Sequence, residues 1–307
     1  VRIQLEWFGE KTAARLADIE QGRATPVVPR DAATVMVLRS PGGTTAPRHG
    51  GHLPPIPPGR TPRDRADQDV EVLMLRRTAA MKFAPGAYVF PGGSVDPADY
   101  GAEIGWQGPT PAEFGARLGA SAEVARALVC AAVRETFEES GVLLAGTPDG
   151  STATPSGPSW DADRAGLTAG TLTLGELFSR RGLVLRADLL VPWTRWITPE
   201  GESRRFDARF FAAALPDGQQ ATGHEAESDH VAWVRPAGAI AAAKSGEMSL
   251  LPPTATTLND FASTVAAGGG VADILGTTRT IAPVQPRLVL QDGEAWLVIP
   301  DEAGYPL

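Results

Sequence analysis

One cysteine, Cys130, stands among 307 residues, which excludes an intramolecular disulfide and is compatible with a reducing compartment. A lone cysteine of this kind reads as a small buried hydrophobe. No apolar run approaches the roughly 20 residues that a membrane-spanning helix needs, and the first residues lack the basic-then-apolar layout of a signal peptide. The last three, Tyr305-Pro306-Leu307, do not match a Ser-Lys-Leu peroxisomal address. The expectation is a cytoplasmic protein with no membrane partner. Positive charge is also short, with 28 Lys and Arg against 36 Asp and Glu and a formal net charge of -8. A phosphate backbone is held by Lys and Arg that displace counterions, so no nucleic-acid partner is expected, although a small anionic ligand can still meet a local group of arginines. Histidine is scarce, and His49 and His52 have no acidic or cysteine neighbour at ligand spacing, so they read as exposed loop residues.

What is present is enough apolar material for a core without metal or disulfide staples: 43% hydrophobic and 21% charged residues, at a length that suits one large domain or two ordinary ones. The 34 glycines and 27 prolines imply long loops. One is the 40–68 insertion, dense in Gly, Pro and Arg. Residues 3 to 20 suit an amphipathic helix through Ile3, Leu5, Phe8 and Leu16, and 34–38 a strand. Strands follow at 70–75 and 87–90, the latter running into Pro91-Gly92-Gly93. Residues 100–120 form a further insertion. Ser121 is a good N-cap for a helix that ends at Gly141. Residues 146–157 read as a flexible connector and 174–181 as a short helix. Strands at 191–197, 205–213 and 231–234, a helix over 237–244, a helical stretch over 254–275 and a hairpin over 287–299 complete the chain.

The chemistry concentrates at the end of the helix that begins after Ser121. From Ala122 to Val133 it is apolar almost all round, which marks a helix buried between other elements. At about 100° per residue, Glu135, Glu138 and Glu139 continue the stripe of Val124, Leu128 and Ala131, so these carboxylates face inward. Like charges at i,i+3 and i,i+4 cost about 0.2 to 0.5 kcal/mol per pair even in water, and more when partly buried. Arg134 offsets part of that cost. A hard divalent cation with oxygen ligands would offset the rest, and Mg²⁺ suits a phosphate reaction because it keeps waters and accepts substrate oxygens in its shell. Taken alone, a Glu-x-x-Glu-Glu run is more readily a solvated helix face. The preceding strand, ending in Pro91-Gly92-Gly93, provides a backbone that passes close to phosphates.

Gly93 followed by Arg134-Glu135-Thr136-Phe137-Glu138-Glu139-Ser140-Gly141-Val142 resembles the Nudix box, whose pattern is G-x5-E-x7-R-E-U-x-E-E-x-G-U. Thr136 occupies a normally aliphatic position, Asp99 stands where the family has Glu, and 34 residues rather than seven separate Asp99 from Arg134. Longer stretches are similar to the Nudix branch that contains the mammalian peroxisomal coenzyme A diphosphatase. They are Lys82 to Gly93, Trp196-Ile197-Thr198-Pro199, Arg204-Arg205-Phe206-Asp207 and Leu251-Pro252-Pro253-Thr254. That branch also carries an insertion inside its box.

The resemblance implies an α/β/α sandwich with a mixed sheet, decorated by the 40–68 and 100–120 insertions and a 245–307 extension that covers substrate or forms a homodimer interface. It implies a diphosphatase that cleaves CoA or acyl-CoA to 3',5'-ADP and a phosphopantetheine product. ADP-ribose, NADH or another nucleoside diphosphate derivative is the alternative substrate, and a non-catalytic nucleotide sensor the alternative class. Glu135, Glu138 and Glu139 would hold Mg²⁺ or Mn²⁺, with Glu138 and Arg134 catalytic and the Gly92-Gly93 turn facing phosphate. Glu227, by its place before Trp233, would complete the metal shell or act as general base, with Glu225 as substitute. Surface acidity is the plain alternative for both. His224 and His230 flank it without an assigned role. Arg204 and Arg205 begin a strand, whose alternation turns one of them toward the site to hold phosphate unless it forms a structural ion pair, and Arg76 and Arg77 pose the same choice. Trp193 and Trp196 stack on adenine or belong to the core.

Overall fold

The computed structural model describes residues 1–3, 10–41, 70–78, 84–101, 103–223, 228–292 and 294–307. His49, His52, Lys82, Phe83, His224, Glu225, Glu227 and most of the 40–68 insertion lie outside the described residues. The chain opens with β1 (Arg2–Ile3), α1 (Glu10–Glu20), β2 (Arg30–Arg39), β3 (Glu71–Arg77), β4 (Tyr88–Val89) and β5 (Gly92–Ser94). Next come α2 (Pro97–Tyr100), β6 (Gly105–Gln107), α3 (Pro111–Leu118) and the acidic-ended helix α4 (Ala122–Ser140). They are followed by β7 (Ala145–Gly146), α5 (Pro158–Thr168), α6 (Leu174–Arg181), β8 (Val184–Arg186), β9 (Val191–Ile197), β10 (Phe206–Ala214) and β11 (Ser228–Val234). The chain closes with α7 (Pro236–Lys244), α8 (Pro252–Ala266), α9 (Val271–Leu275), β12 (Pro283–Val284), β13 (Arg287–Gln291) and β14 (Glu294–Val298).

The main sheet runs β11-β3-β2-β10-β9-β12, with β4 added to β3 and β5 to β2. It is mixed, because β2 lies parallel to β10 and β12 to β9 while the other pairings are antiparallel. Strand alternation sends Ala33, Val35 and Val37 of β2, with Phe211 and Ala213 of β10, into one core beneath α4. The intervening Met36, Leu38, Phe210 and Ala212 enter a second core with Leu258 and Phe261 of α8. Apolar residues on both faces of the central strands require a helical layer on each side, and α4 and α8 supply them.

Helix α4 begins and ends where its capping chemistry directs. The Ser121 Oγ accepts a hydrogen bond from the Val124 N–H, and Gly141 takes a left-handed φ of 71° while its N–H donates to the Phe137 carbonyl. Two other expectations change. Ile3 pairs with Leu297 in β1 against β14 instead of starting a helix, because its side chain completes the C-terminal hairpin. The residues after 245 are no appendage: α8 is the second layer of the sandwich, with Leu258 and Phe261 fully buried, and β12 joins the main sheet. The 100–120 insertion is ordered around α3, whose Thr110 and Glu113 form a capping box and whose Phe114 and Leu118 pack into the α4 core.

Candidate active site

The last two turns of α4 lie against β5, and the glycines there leave room for carboxylates. A Cβ on Gly93 would sit 2.5 Å from Cδ and 2.7 Å from Oε2 of Glu135, so any side chain at this position displaces that carboxylate. A Cβ on Gly92 would meet the Ala33 carbonyl at 2.5 Å and the Thr34 Cα at 2.7 Å, so β5 and β2 approach through it. The Gly92 N–H donates to Glu139 Oε2 at 2.9 Å. Close approach, rather than any left-handed conformation, is therefore the requirement at both glycines. Glu135 and Glu138 keep 15% and 13% of their side-chain surface, enough to meet a ligand while shielded from most of the solvent.

One guanidinium organises these groups. Arg134 Nη1 donates to Glu135 Oε1 at 2.9 Å and to Glu138 Oε1 at 3.2 Å. Its Nε and Nη2 form a fork on Asp99 at 3.1 and 2.9 Å, and Nη2 also donates to the Ser94 carbonyl at 3.0 Å. Asp99 is buried to 1% exposure in the single turn of α2, where Asp96 caps the helix and Pro97 opens it. The Asp96 N–H donates to Asp99 Oδ2 at 2.8 Å, a second contact that fixes the carboxylate. Burial alone would lower the Arg134 pKa, but the Asp99 hydrogen bonds and the charges of Glu135, Asp99 and Glu138 more than reverse that and hold it above the ordinary arginine value. Arg134 is thus a permanent cation between a structural carboxylate and two accessible ones. The 34 residues between Asp99 and Arg134 do not separate them in space, because β6 and α3 leave and return beside α4.

Residues 112–260 match the family model described as the NUDT19 Nudix domain. A chicken protein named acyl-coenzyme A diphosphatase NUDT19 is 32% identical over 238 residues, covering 64% of this chain and 62% of its own length. Putative nudix hydrolase 7 of Caenorhabditis elegans is 32% identical over 182 residues, covering 59% and 52%. The chain therefore spans less than two thirds of these curated relatives. A crystal structure of a NUDIX hydrolase from Alicyclobacillus acidocaldarius superimposes with a TM-score of 0.61 at 26% identity, over 83% of this chain and 98% of the other. This is a Nudix fold, and the chain resembles the NUDT19 branch.

Arg134 thus brings Asp99 together with Glu135 and Glu138 across the intervening 34 residues. Three half-buried carboxylates within five residues are a donor set suited in kind to a hard divalent cation. Among the described residues no three carboxylate, histidine or cysteine groups converge as a finished cage. Glu135 and Glu138 are turned onto Arg134 and Glu139 onto the Gly92 N–H. Those hydrogen bonds hold the carboxylates against Arg134 and the β5 backbone.

The other expected site residues divide. Arg205 is buried and donates through Nε to the Thr198 carbonyl at 2.9 Å and through Nη1 to the Val27 carbonyl at 2.7 Å. It pins loops at the end of the sheet where β2 and β10 start, in place of the phosphate-binding role expected for it, while Arg204 is exposed beside it. Arg76 alternates with Met74 onto the face opposite α4, whereas Arg77 shares the face of Leu73. Of these two, Arg77 rather than Arg76 is on the side of the carboxylates. Trp193 and Trp196 are core residues on the α8 side, Trp193 lying edge-on to Phe261 with ring centroids 4.9 Å apart and under the Arg279 guanidinium at 4.3 Å. His230 lies opposite Arg76 in the β11–β3 register and is exposed. No helix among the described residues is long and apolar enough to cross a membrane.

Proposed function

We propose that this chain is a metal-dependent Nudix diphosphatase that cleaves CoA or acyl-CoA to 3',5'-ADP and the corresponding phosphopantetheine. The observation that carries the reading is the Arg134 hub, which gathers Glu135, Glu138 and Asp99 beside a Gly92-Gly93 backbone that leaves space for them. Support for the substrate class comes from the NUDT19 domain match and from the relative named as an acyl-coenzyme A diphosphatase. Glu135, Glu138 and Glu139 are the residues to hold Mg²⁺ or Mn²⁺. Such an ion, when bound, neutralises developing charge on phosphate oxygens and lowers the pKa of water.

The protein's own part is geometric. Arg134, locked by Asp99, orients two of the carboxylates, and the glycine backbone lets a diphosphate approach α4. Hydrolysis forms one phosphorus–oxygen bond from water and breaks the bridging bond, and the two phosphomonoester products share the water's protons with solvent. Glu227 is retained as the residue to accept the proton from water, with Glu225 as its substitute. The test is a panel of CoA, acetyl-CoA, ADP-ribose and NADH with Mg²⁺, read by product mass. Release of 3',5'-ADP from the two CoA compounds at higher kcat/KM than any cleavage of the others is expected. Intact CoA compounds beside cleaved ADP-ribose or NADH would overturn the substrate assignment.

A further inference from the structure

Beyond the box, a second arginine grips the same helix from outside. Arg164 lies on α5, a helix with no side-chain N-cap that starts at Pro158. Its Nε donates to the main-chain carbonyl of Glu138 at 2.8 Å, while Nη1 and Nη2 donate to the Oγ1 and carbonyl of Thr222 at 2.9 and 3.0 Å. Thr222 closes the loop by donating its N–H to the Ser140 carbonyl at 2.8 Å. One guanidinium thus joins three segments: one of its bonds and one of Thr222's satisfy carbonyls in the last turn of α4, and its other two bonds hold Thr222. Gly141 makes the clasp feasible: at a φ of +71° it has no side chain, and a Cβ there would lie 2.9 Å from Thr222 Oγ1 and 3.3 Å from Arg164 Nη1.

The arginine is itself held. One turn earlier on α5, Trp160 meets Phe137 of α4 edge-on with ring centroids 6.1 Å apart, and Arg181 of α6 lies 4.2 Å over the Trp160 ring. Arg181 and Arg180 both bond the buried Asp163 carboxylate, next to Arg164 in sequence. Burial lowers the Arg164 pKa, while Asp161, Glu138 and Glu139 act in the opposite direction, so the cation lies within the field of two box carboxylates. An arginine at a helix C-terminus favours the helix dipole at any position. Here its acceptor is the peptide of a carboxylate-bearing residue, so movement of the guanidinium moves the backbone that carries Glu138.

We propose that Arg164 is a positioning residue for the Nudix site, fixing the last turn of α4 through the Glu138 carbonyl and Thr222 so that Glu138 and Glu139 are presented in one geometry. The inference rests on the metal-site reading above. The test compares wild type with Arg164→Lys and Thr222→Val in the full chain, reading thermal midpoint, Mn²⁺ affinity by loss of the free-ion electron paramagnetic resonance signal, and kcat and KM for CoA. Lysine keeps the charge but its one nitrogen cannot reach three acceptors. Expected for Arg164→Lys is Mn²⁺ binding weakened tenfold or more and kcat down by a similar factor, with KM within twofold and the fold intact. Thr222→Val, which keeps Arg164 and loses one acceptor, is expected to shift both in the same direction by two- to threefold, and it carries the test if the lysine variant does not fold. Wild-type affinity and kcat in either folded variant overturn the positioning role. A wild type that binds no Mn²⁺ overturns the metal-site reading beneath it, which distinguishes the two failures.

Discussion

Asp99 and Gly93 show how single atoms decide the site. Asp99 is almost fully buried and pairs with Arg134, which also spans Glu135 and Glu138. Replacing it with Asn keeps the shape but removes the charge that fixes the hub. Asp99→Asn is expected to lower kcat/KM by roughly 10- to 100-fold, the usual loss when a supporting partner of a metal ligand is changed. Steady-state kinetics with Mg²⁺ check this, and unchanged kinetics would mean that Arg134 does not need the carboxylate. Gly93→Ala drives a methyl group into Glu135, whereas Gly101→Ala meets nothing within 4 Å among the described residues at an ordinary φ of -89°. The first is expected to lose most turnover and Mn²⁺ binding, and the second to stay within about 0.5 kcal/mol of wild-type stability by denaturant titration. Equal effects of the two would remove the close-approach argument.

At the scale of elements, α4 was legible in the sequence because its signals are local. Ser121, the apolar run and Gly141 act within a few residues of one another, and the inward carboxylates follow from helical spacing. Helix α5 was not legible, since Gly157 offers no capping side chain and its amphipathic pattern is weak amid Gly, Ser, Thr and Pro, so the clasp it carries stayed hidden. The partnership of Asp99 with Arg134 depends on how a 34-residue excursion returns, which spacing does not encode. Arg205 and Arg76 were legible as arginines at strand positions but not by the direction each side chain takes. The turn between β9 and β10 gives a pH test. Glu202 has a buried Oε1 with no hydrogen-bond partner among the described residues, and burial raises its pKa, opposed by Arg15. A carboxyl with a raised folded pKa costs nothing below its unfolded pKa, where both states are protonated, and destabilises the fold as pH rises through the folded value. Glu202→Gln is therefore expected to raise the thermal midpoint at pH 7 to 8 and to leave it unchanged near pH 3. A gain that persists undiminished at low pH would rule out ionisation as its cause.

For the whole molecule, the sandwich depends on both layers, and the one formed after residue 245 is as deeply packed as α4. Phe261 is fully buried in the core on the α8 side of the sheet and contacts Trp193 of β9. Phe261→Ala is expected to cost about 3 to 5 kcal/mol in urea unfolding, the range for a buried aromatic truncation, and a loss under 1 kcal/mol would show that α8 is not part of the core. Folded layers on both faces give α4 its fixed place on the sheet, and from that place follow the convergence at Arg134 and the proposed metal-dependent cleavage. The most direct test is turnover of CoA by Glu138→Gln at saturating Mg²⁺, with circular dichroism and the thermal midpoint confirming the fold. Release of 3',5'-ADP is expected to fall by at least about 100-fold in a variant that melts like wild type, and full turnover in that folded variant would contradict a metal site at the end of α4.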